Sequence, residues 1–428
     1  MQQMETRIDA LMARFVEPGG PGAAVAVIRG GAFVCRKAYG LADLEHSVPL
    51  TPDSVFRIAS LTKQFTAVAV MMLAERGLLD IDDPVERHLT DWPDHGGAIS
   101  LRRLLNHTSG VWRHDSEMIE RTLRPNPPVA EVLQLIYAKP LEFEPGDRYA
   151  YNNSGYLLLG AVIAAASGRS YEDFLREEIF EPLGMGRTGI LRHESVTPRR
   201  ARGYVRGRER FHNARLDAMN WSHAAGALGS TLDDLRLWDR ALRSHRLISA
   251  ATMEVMLEPT TLNDGSAFPY GFGWGLAEYE GRRIFHHTGG ISGYGCQMLH
   301  LRDENLTTIV LSNLYMFGFD QVTRGLVQAG LGVGEIVRAP VDLGPTDLAA
   351  CAGDFKADEI PVRRLEVLDG GLAFAERGGP SLAPAAADCF YDRADPEIEY
   401  RFSLRGERGF QRLEMRSPLW PPTTYLRV

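Results

Sequence analysis

One stretch limits what this chain can become: Ser60-Leu61-Thr62-Lys63, set at the front of the uncharged apolar run Phe65 to Ala74. That run meets its first charge at Glu75 and closes at Gly77, the pattern of a helix buried on most sides with a glycine stop. Ser60 therefore falls at or near a helix N-terminus. Residues three apart on a helix share a face, so the Lys63 amine comes within reach of the Ser60 hydroxyl, and the unpaired N–H groups of the first turn favour negative charge nearby. A serine hydroxyl is a poor nucleophile at neutral pH until a base takes its proton, and a lysine serves as that base only if burial lowers its pKa. The spacing alone is weak, because an N-capping serine followed by a snorkelling lysine has the same signature. Composition sharpens it. Nearly all the basic residues are arginine, the only lysines are Lys37, Lys63, Lys139 and Lys356, and only Lys63 has a serine three residues before it.

A chain of 428 residues is long for one core, which predicts a large domain, 1–335, and a small one, 346–428, joined by a proline-bearing linker around Val333 to Thr346. A net charge of −8 with both signs mixed throughout argues against a nucleic-acid or anionic-membrane surface. Met1 to Glu17 has charges interrupting its apolar positions, and no later run is long and apolar enough to span a bilayer, so the expectation is a cytoplasmic protein. Cys35, Cys296, Cys351 and Cys389 are scattered without CxxC spacing and read as free thiols. No HExxH or similar ligand spacing occurs, so neither a metal nor another cofactor is expected.

Taken in order, Ile8, Leu11, Met12, Phe15 and Val16 fall on one helical stripe. Val25 and Val27, a turn at Arg29-Gly30-Gly31, and Phe33 to Tyr39 make a hairpin. From Leu78 to about Ile190 the pattern is mainly helical: Ser100 capping Leu101 to Asn106, then Ala130 to Tyr137, Leu157 to Ala166 closed by Gly168, and Glu172 to Phe180. Thr231 and Asp234 open a helix through Leu242. Strands return at Arg283 to Phe285, Gln297 to Leu301 and Thr307 to Leu311, and Leu326 to Leu331 is helical. The predicted class is α/β (α+β), an antiparallel sheet covered by helices with an all-helical lobe inserted. Beyond the linker the pattern changes to short strands. Leu365 and Val367 turn at Asp369-Gly370-Gly371 into Leu372 and Phe374, and Ile398, Tyr400, Phe402 and Leu404 alternate up to a turn at Arg405 to Gly409. A small all-β, barrel-like domain is expected there.

Three motifs fall in order: Ser60-x-x-Lys63, Tyr151-x-Asn153 and His287-Thr288-Gly289. Together with Ser100 to Gly110, Phe143-Glu144-Pro145-Gly146 and Pro182-Leu183-Gly184-Met185, they resemble the serine β-lactamase and penicillin-binding-protein superfamily, in its class C β-lactamase, DD-peptidase and D-aminopeptidase branch, over about residues 20 to 315. The resemblance implies an α/β sandwich beside a helical lobe, with the active site between them. Tyr151 can hydrogen-bond Ser60 and share the proton duty with Lys63, either of the two being the base. Asn153 would donate to a substrate carbonyl and orient Lys63. The backbone N–H groups of Ser60 and Gly290 are the expected oxyanion hole, with Gly290 assigned from the family pattern, and glycine at 289 and 290 permits close approach of the strand. Tyr149 and Tyr156 beside Tyr151 read equally as core aromatics. His286 and His287 are adjacent on a strand and point to opposite faces, so at most one faces the site.

The third motif commonly begins with lysine in β-lactamases and DD-peptidases, where it helps hold the substrate carboxylate. Here His287 stands in that place, largely neutral at pH 7, and a fixed charged hydrogen bond worth about 1.5–3 kcal/mol is lost. The segment from Tyr270-Gly271-Phe272-Gly273 through Gly295-Cys296-Gln297 is most similar to the D-aminopeptidases, which carry two β-barrel domains where this chain has room for one. The expected activity is an acyl-enzyme serine hydrolase cleaving short amides, peptides or esters, with a D-aminopeptidase-like amidase first. A carboxylesterase, a class C-like β-lactamase and a DD-carboxypeptidase are the enzyme alternatives, and a non-catalytic binding or assembly protein is the alternative outside enzymes. The expected partner is a small-molecule or short peptide substrate, with a homo-oligomer allowed for. A free amine on the substrate would need a carboxylate in the pocket, and none of the many Asp and Glu residues is singled out by the sequence.

Overall fold

The segment Ala23–Arg29 is apolar at nearly every position instead of at alternate ones, and a strand of that kind must be covered on both faces. The computed structural model describes residues 2–95, 99–114, 126–357, 360–376, 379–406 and 409–428. In it this segment is β1 of a six-stranded sheet. The other strands are β2 (Ala32–Tyr39), β3 (Gly275–Tyr279), β4 (Arg282–Ile291), β5 (Tyr294–Leu301) and β6 (Leu306–Ser312), in the spatial order β3-β4-β5-β6-β1-β2. The ladders β4–β5, β5–β6, β6–β1 and β1–β2 are antiparallel, with Val25 opposite both Val310 and Lys37, and His287 opposite Met298. The expected strand Arg283 to Phe285 thus runs on to Ile291, and the His-Thr-Gly motif lies within it.

Alternation sends Val27 to one face, where the backbone of Gly330 packs on it, and Ala24, Ala26 and Ile28 to the other, where they join the main core. The first face is covered by α1 (Gln2–Ala13) and by the C-terminal helix of this unit, Phe319–Leu331. Phe15 and Val16, expected on the α1 stripe, lie past its end. The closing helix begins at Phe319, earlier than the expected Leu326. Gly325 in its middle is a packing device, since a Cβ there would stand 2.5 Å from Leu11 of α1.

The main core is organised on α2 (Thr62–Glu75), in which every residue from Thr62 to Leu73 is buried and Gly77, at φ +68°, supplies the stop. The lobe beside it holds α3 (Leu101–Leu105), capped by Ser100 Oγ accepting from the Arg103 N–H at 3.3 Å, α4 (Val129–Tyr137) and α5 (Asn153–Ser167). α5 starts a turn before the expected Leu157 because the Asn152 side chain accepts from the Gly155 N–H at 3.2 Å and caps it. The expected helix Glu172 to Phe180 is a short α-helix, Tyr171–Leu175, continued by a π-helical turn, Arg176–Phe180. Helix α6 (Leu232–Arg243) is capped by Thr231 Oγ1, but Asp234 does not complete a capping box: its carboxylate accepts from Thr188 and from the Arg187 N–H.

The chain divides into two compact units, Met1–Leu276 with Arg283–Gly332, and Val333–Val428 with Ala277–Arg282. The second contains a helix the sequence reading missed, α8 (Pro345–Cys351), numbered after the Phe319–Leu331 helix as α7. Pro345 sits in its first turn, where a missing N–H costs nothing. It also contains a closed eight-stranded barrel, β7 (Gly353–Ala357) through β14 (Trp420–Arg427), filled by Phe355, Leu372, Phe390 and Phe402 among others. The hairpin at Asp369 and Gly370 turns with both residues at positive φ. Tyr400 and Phe402 face the barrel core, but Leu404, at φ +57°, leaves the alternation and is 67 % exposed; the tip of the next turn, 407–408, lies outside the described residues. All four cysteines are free thiols. Among the described residues no helix is long and apolar enough to cross a membrane.

Candidate active site

Ser60 occupies a single 3-10 turn, Ala59–Leu61, directly before α2. Ala59 is at φ +42°, a left-handed backbone that costs an L-residue roughly 1–3 kcal/mol, so the turn presenting Ser60 is held strained by its surroundings. Lys63, in the first turn of α2, is 0 % exposed, and its Nζ lies 3.2 Å from Ser60 Oγ, 2.6 Å from Asn153 Oδ1 and 2.9 Å from the Ala225 carbonyl. Three acceptors match the three N–H bonds of an ammonium. A neutral amine is served equally well, with two N–H bonds donated to Asn153 and Ala225 and the lone pair turned to the Ser60 hydroxyl. Asn153 arrives at this place because Asn152 caps α5 one residue earlier.

The three neighbouring tyrosines differ in their packing. Tyr149 stacks on Phe268 at 3.7 Å between ring centroids, and Tyr156 is fully buried with its hydroxyl donating to the Leu105 carbonyl at 2.8 Å. Tyr151 is half-buried, with the Lys63 amine 4.7 Å from the centroid of its ring. The paired histidines also separate. His286 packs against Gly275, while the ring of His287 lies 6.1 Å from that of Tyr151.

His287 belongs to a directional chain of hydrogen bonds. The Asn152 N–H donates to His107 Nδ1 at 3.1 Å, which places the proton of His107 on Nε2, 3.2 Å from the Tyr270 hydroxyl. At the other end His287 Nδ1 lies 2.5 Å from the Thr288 carbonyl and must carry the proton, leaving Nε2 to accept from the Tyr270 hydroxyl at 2.9 Å. Both imidazoles are therefore neutral in this arrangement. Burial, followed by the nearby Lys63, holds His287 down at about 3 and His107 well below the usual histidine range. His107 and Tyr270 were not singled out by the sequence as site residues. Their signals, a histidine in a helix-ending turn and a tyrosine in an aromatic–glycine run, are those of ordinary packing.

Gly289 of β4 brings the strand against the nucleophile, whereas a Cβ at the neighbouring Gly290 would meet the Tyr315 ring at 2.9 Å. A Cβ at Gly289 would lie 2.4 Å from the Ile58 carbonyl, 2.6 Å from Cys296 Sγ and 3.1 Å from the Ser60 nitrogen, so the approach exists only because the residue is glycine. Gly290 and Ser60 both line a cleft of about 390 Å³, together with Asn153, Arg215, Asp217 and Trp221. Lys63 and His287 are buried behind that wall. Asp217 is the one acidic residue lining the cleft among those described. Its Oδ2 accepts from the Ser292 N–H at 3.1 Å, two residues beyond Gly290, and burial raises its pKa above the usual aspartate value. It sits in an irregular segment with no periodicity to mark it.

As for metals, Asp43, Glu45 and His46 bring ligand atoms within 4.8 Å of one another on the surface, but Arg202 and Asn213 already occupy the carboxylates. No such group occurs in the cleft among the described residues.

Residues 5–329 match the family model described as Beta-lactamase. Penicillin-binding protein 4* of Bacillus subtilis (strain 168) is 33% identical over 316 residues, covering 68% of this chain and 67% of that protein. D-aminopeptidase of Brucella anthropi is 34% identical over 330 residues, covering 76% of this chain; the chain spans only 62% of that relative's length. Among solved structures, D-amino acid amidase from Ochrobactrum anthropi SV3 superposes with a TM-score of 0.67 at 26% identity, covering 77% of this chain and 99% of the amidase. The penicillin-binding protein homologue from Pyrococcus abyssi, at 23% identity and a TM-score of 0.70, shares the fold over 99% of both chains. With its motifs, its sheet and its helical lobe all in place, the chain belongs to the Beta-lactamase family, a family of serine hydrolases.

Proposed function

We propose that this protein is an acyl-enzyme serine hydrolase that cleaves the amide bond of short substrates bearing a free α-amine, in the manner of a D-aminopeptidase or amino acid amidase. The observation that carries the reading is the buried Lys63 amine 3.2 Å from Ser60 Oγ, held by two further acceptors that leave its lone pair for the serine proton. Ser60 Oγ attacks the substrate carbonyl as its proton passes to the Lys63–Tyr151 pair. The Ser60 and Gly290 N–H groups receive the developing oxyanion, and the returned proton leaves with the amine. Water then attacks the acyl-enzyme by the same route in reverse order.

Two features favour an amine-bearing substrate over a β-lactam or a D-alanyl terminus. The neutral His287 offers no fixed cation for a carboxylate. Asp217, in the cleft wall, offers the counter-charge for an ammonium. Relatives called D-aminopeptidase and the structural likeness to D-amino acid amidase support the same choice.

The test has two parts. Mass spectrometry after exposure to a fluorophosphonate should find one adduct on the wild type that Ser60→Ala lacks. The wild type should hydrolyse amino-acid p-nitroanilides of one hand and lose at least tenfold in kcat/KM on their N-acetylated forms. Turnover of simple p-nitrophenyl esters without any p-nitroanilide hydrolysis would leave an esterase, and efficient nitrocefin turnover would leave a β-lactamase.

A further inference from the structure

Beside the cleft lies a second cavity of about 450 Å³ with a cationic wall: Arg57, His193, Arg200, Arg202 and Arg215, with Tyr294. Arg215 lines both spaces. Arg202 is committed to Glu45 and Asp43. Arg57 is not committed to any carboxylate. It is 2 % exposed, its Nε has no hydrogen-bond partner, and its terminal nitrogen meets the Leu191 carbonyl at 3.5 Å and the His193 ring at 3.2 Å. Asp217 and Glu194 act on Arg57 from beyond ion-pair distance, and neither Arg57 nor Arg200 has an ion pair among the described residues. His193 adds no counter-charge: its Nε2 donates to the Asp217 carbonyl at 2.6 Å and its other nitrogen faces Arg57. Buried charge is normally paired, because desolvation makes an isolated guanidinium costly. Arg57, buried with no ion pair among the described residues, and Arg200 beside it leave this wall in want of an anion.

We infer that the cavity takes the side-chain carboxylate of the residue being acylated, so that the substrates are amides of acidic, aspartyl- or glutamyl-type amino acids. This rests on the reading of the cleft above. With the α-ammonium at Asp217, the side chain leaves the same carbon, and Arg215 lines both the cleft and the cavity. A bidentate guanidinium contact is the geometry that suits a carboxylate, and a neutral amide of equal size cannot reproduce it.

The experiment compares glutamyl with glutaminyl p-nitroanilide, each as both enantiomers, on the wild type, Arg200→Gln and Arg215→Gln. Arg200 is half-buried and Arg215 exposed, so both substitutions spare the core that Arg57→Met would endanger. The expected result is at least a tenfold preference in kcat/KM for the glutamyl substrate, falling below threefold in either variant. In parallel, Ser60→Ala is titrated calorimetrically with glutamate α-amide, glutamine α-amide and inorganic phosphate. Binding of the glutamate amide at least tenfold tighter than the glutamine amide, lost with Arg200→Gln, supports the site even if the wild type hydrolyses nothing, in which case only the hydrolase reading falls. Equal handling of the two amides in both assays overturns the inference while hydrolysis itself stands. Arg200-dependent binding of phosphate without a glutamyl preference also overturns it, and assigns the cavity to a free anion instead.

Discussion

The closest packing in the site makes Gly289→Ala its sharpest probe. The added Cβ would stand 2.4 Å from the Ile58 carbonyl oxygen, where ordinary van der Waals contact begins at 3.4 Å, so one of the two backbones must yield by about 1 Å. Ile58 and Ser60 flank the strained Ala59, and the same Cβ lies 3.1 Å from the Ser60 nitrogen, so the displacement falls on the nucleophile and on the N–H expected to hold the oxyanion. A misplacement of about 1 Å typically costs on the order of 10²-fold, or roughly 2.7 kcal/mol of transition-state stabilisation. The assay is the second-order rate of fluorophosphonate labelling, which needs no amine or side-chain pocket, read on protein whose circular dichroism matches the wild type. Cys296→Ala should not rescue the variant, because the 2.4 Å contact is with backbone and only the 2.6 Å contact is with the Cys296 sulfur. Gly186→Ala, with nothing within 4 Å of its Cβ, serves as the neutral control. Labelling of Gly289→Ala within threefold of the wild type, or full rescue by Cys296→Ala, would refute the claim that backbone contact at this strand positions Ser60.

Two further outcomes follow from the histidines. Tyr270→Phe removes one hydroxyl without opening a cavity and leaves the His107 Nε2 proton and the His287 Nε2 lone pair unpaired, at about 1–3 kcal/mol each, so urea unfolding should report a loss of at least about 2 kcal/mol. A loss under about 0.5 kcal/mol would mean the chain of hydrogen bonds does not form. Stability should also fall with acid. His107, His287 at about 3 and His223 at about 4 have folded pKa values below the unfolded 6.5, so the unfolded chain binds more protons as pH drops through that window. Their contribution is complete above about pH 6.5 and is lost below it, by up to roughly 1.4 kcal/mol per pH unit for each group. Thermal unfolding from pH 8 to 4 checks this, and a profile flat to pH 4.5 would contradict it. By the same shift, His287 should contribute no step near pH 6.5 to the kcat/KM profile.

What the sequence determined by itself is what depends on neighbours along the chain. The apolar run with a glycine stop set α2, the i,i+3 spacing put Lys63 beside Ser60, and period-two alternation after the linker announced strands. Local chemistry also explains some misses. Asn152 as a cap and Pro345 at a helix start carry recognised signals that the apolar periodicity overrode. The third dimension decided the rest, because it depends on residues far apart in sequence. Tyr151 stands apart from Tyr149 and Tyr156 only once Phe268 and Leu105 have claimed the other two. His287 is kept neutral by burial and by the amine of Lys63, which lies on another element, while Thr288 and Tyr270 are the partners of its two ring nitrogens. Asp217 and Arg57 acquire meaning only from what the fold buries around them, since an irregular segment has no period, and the lack of a counter-ion is a property of space, not of sequence order.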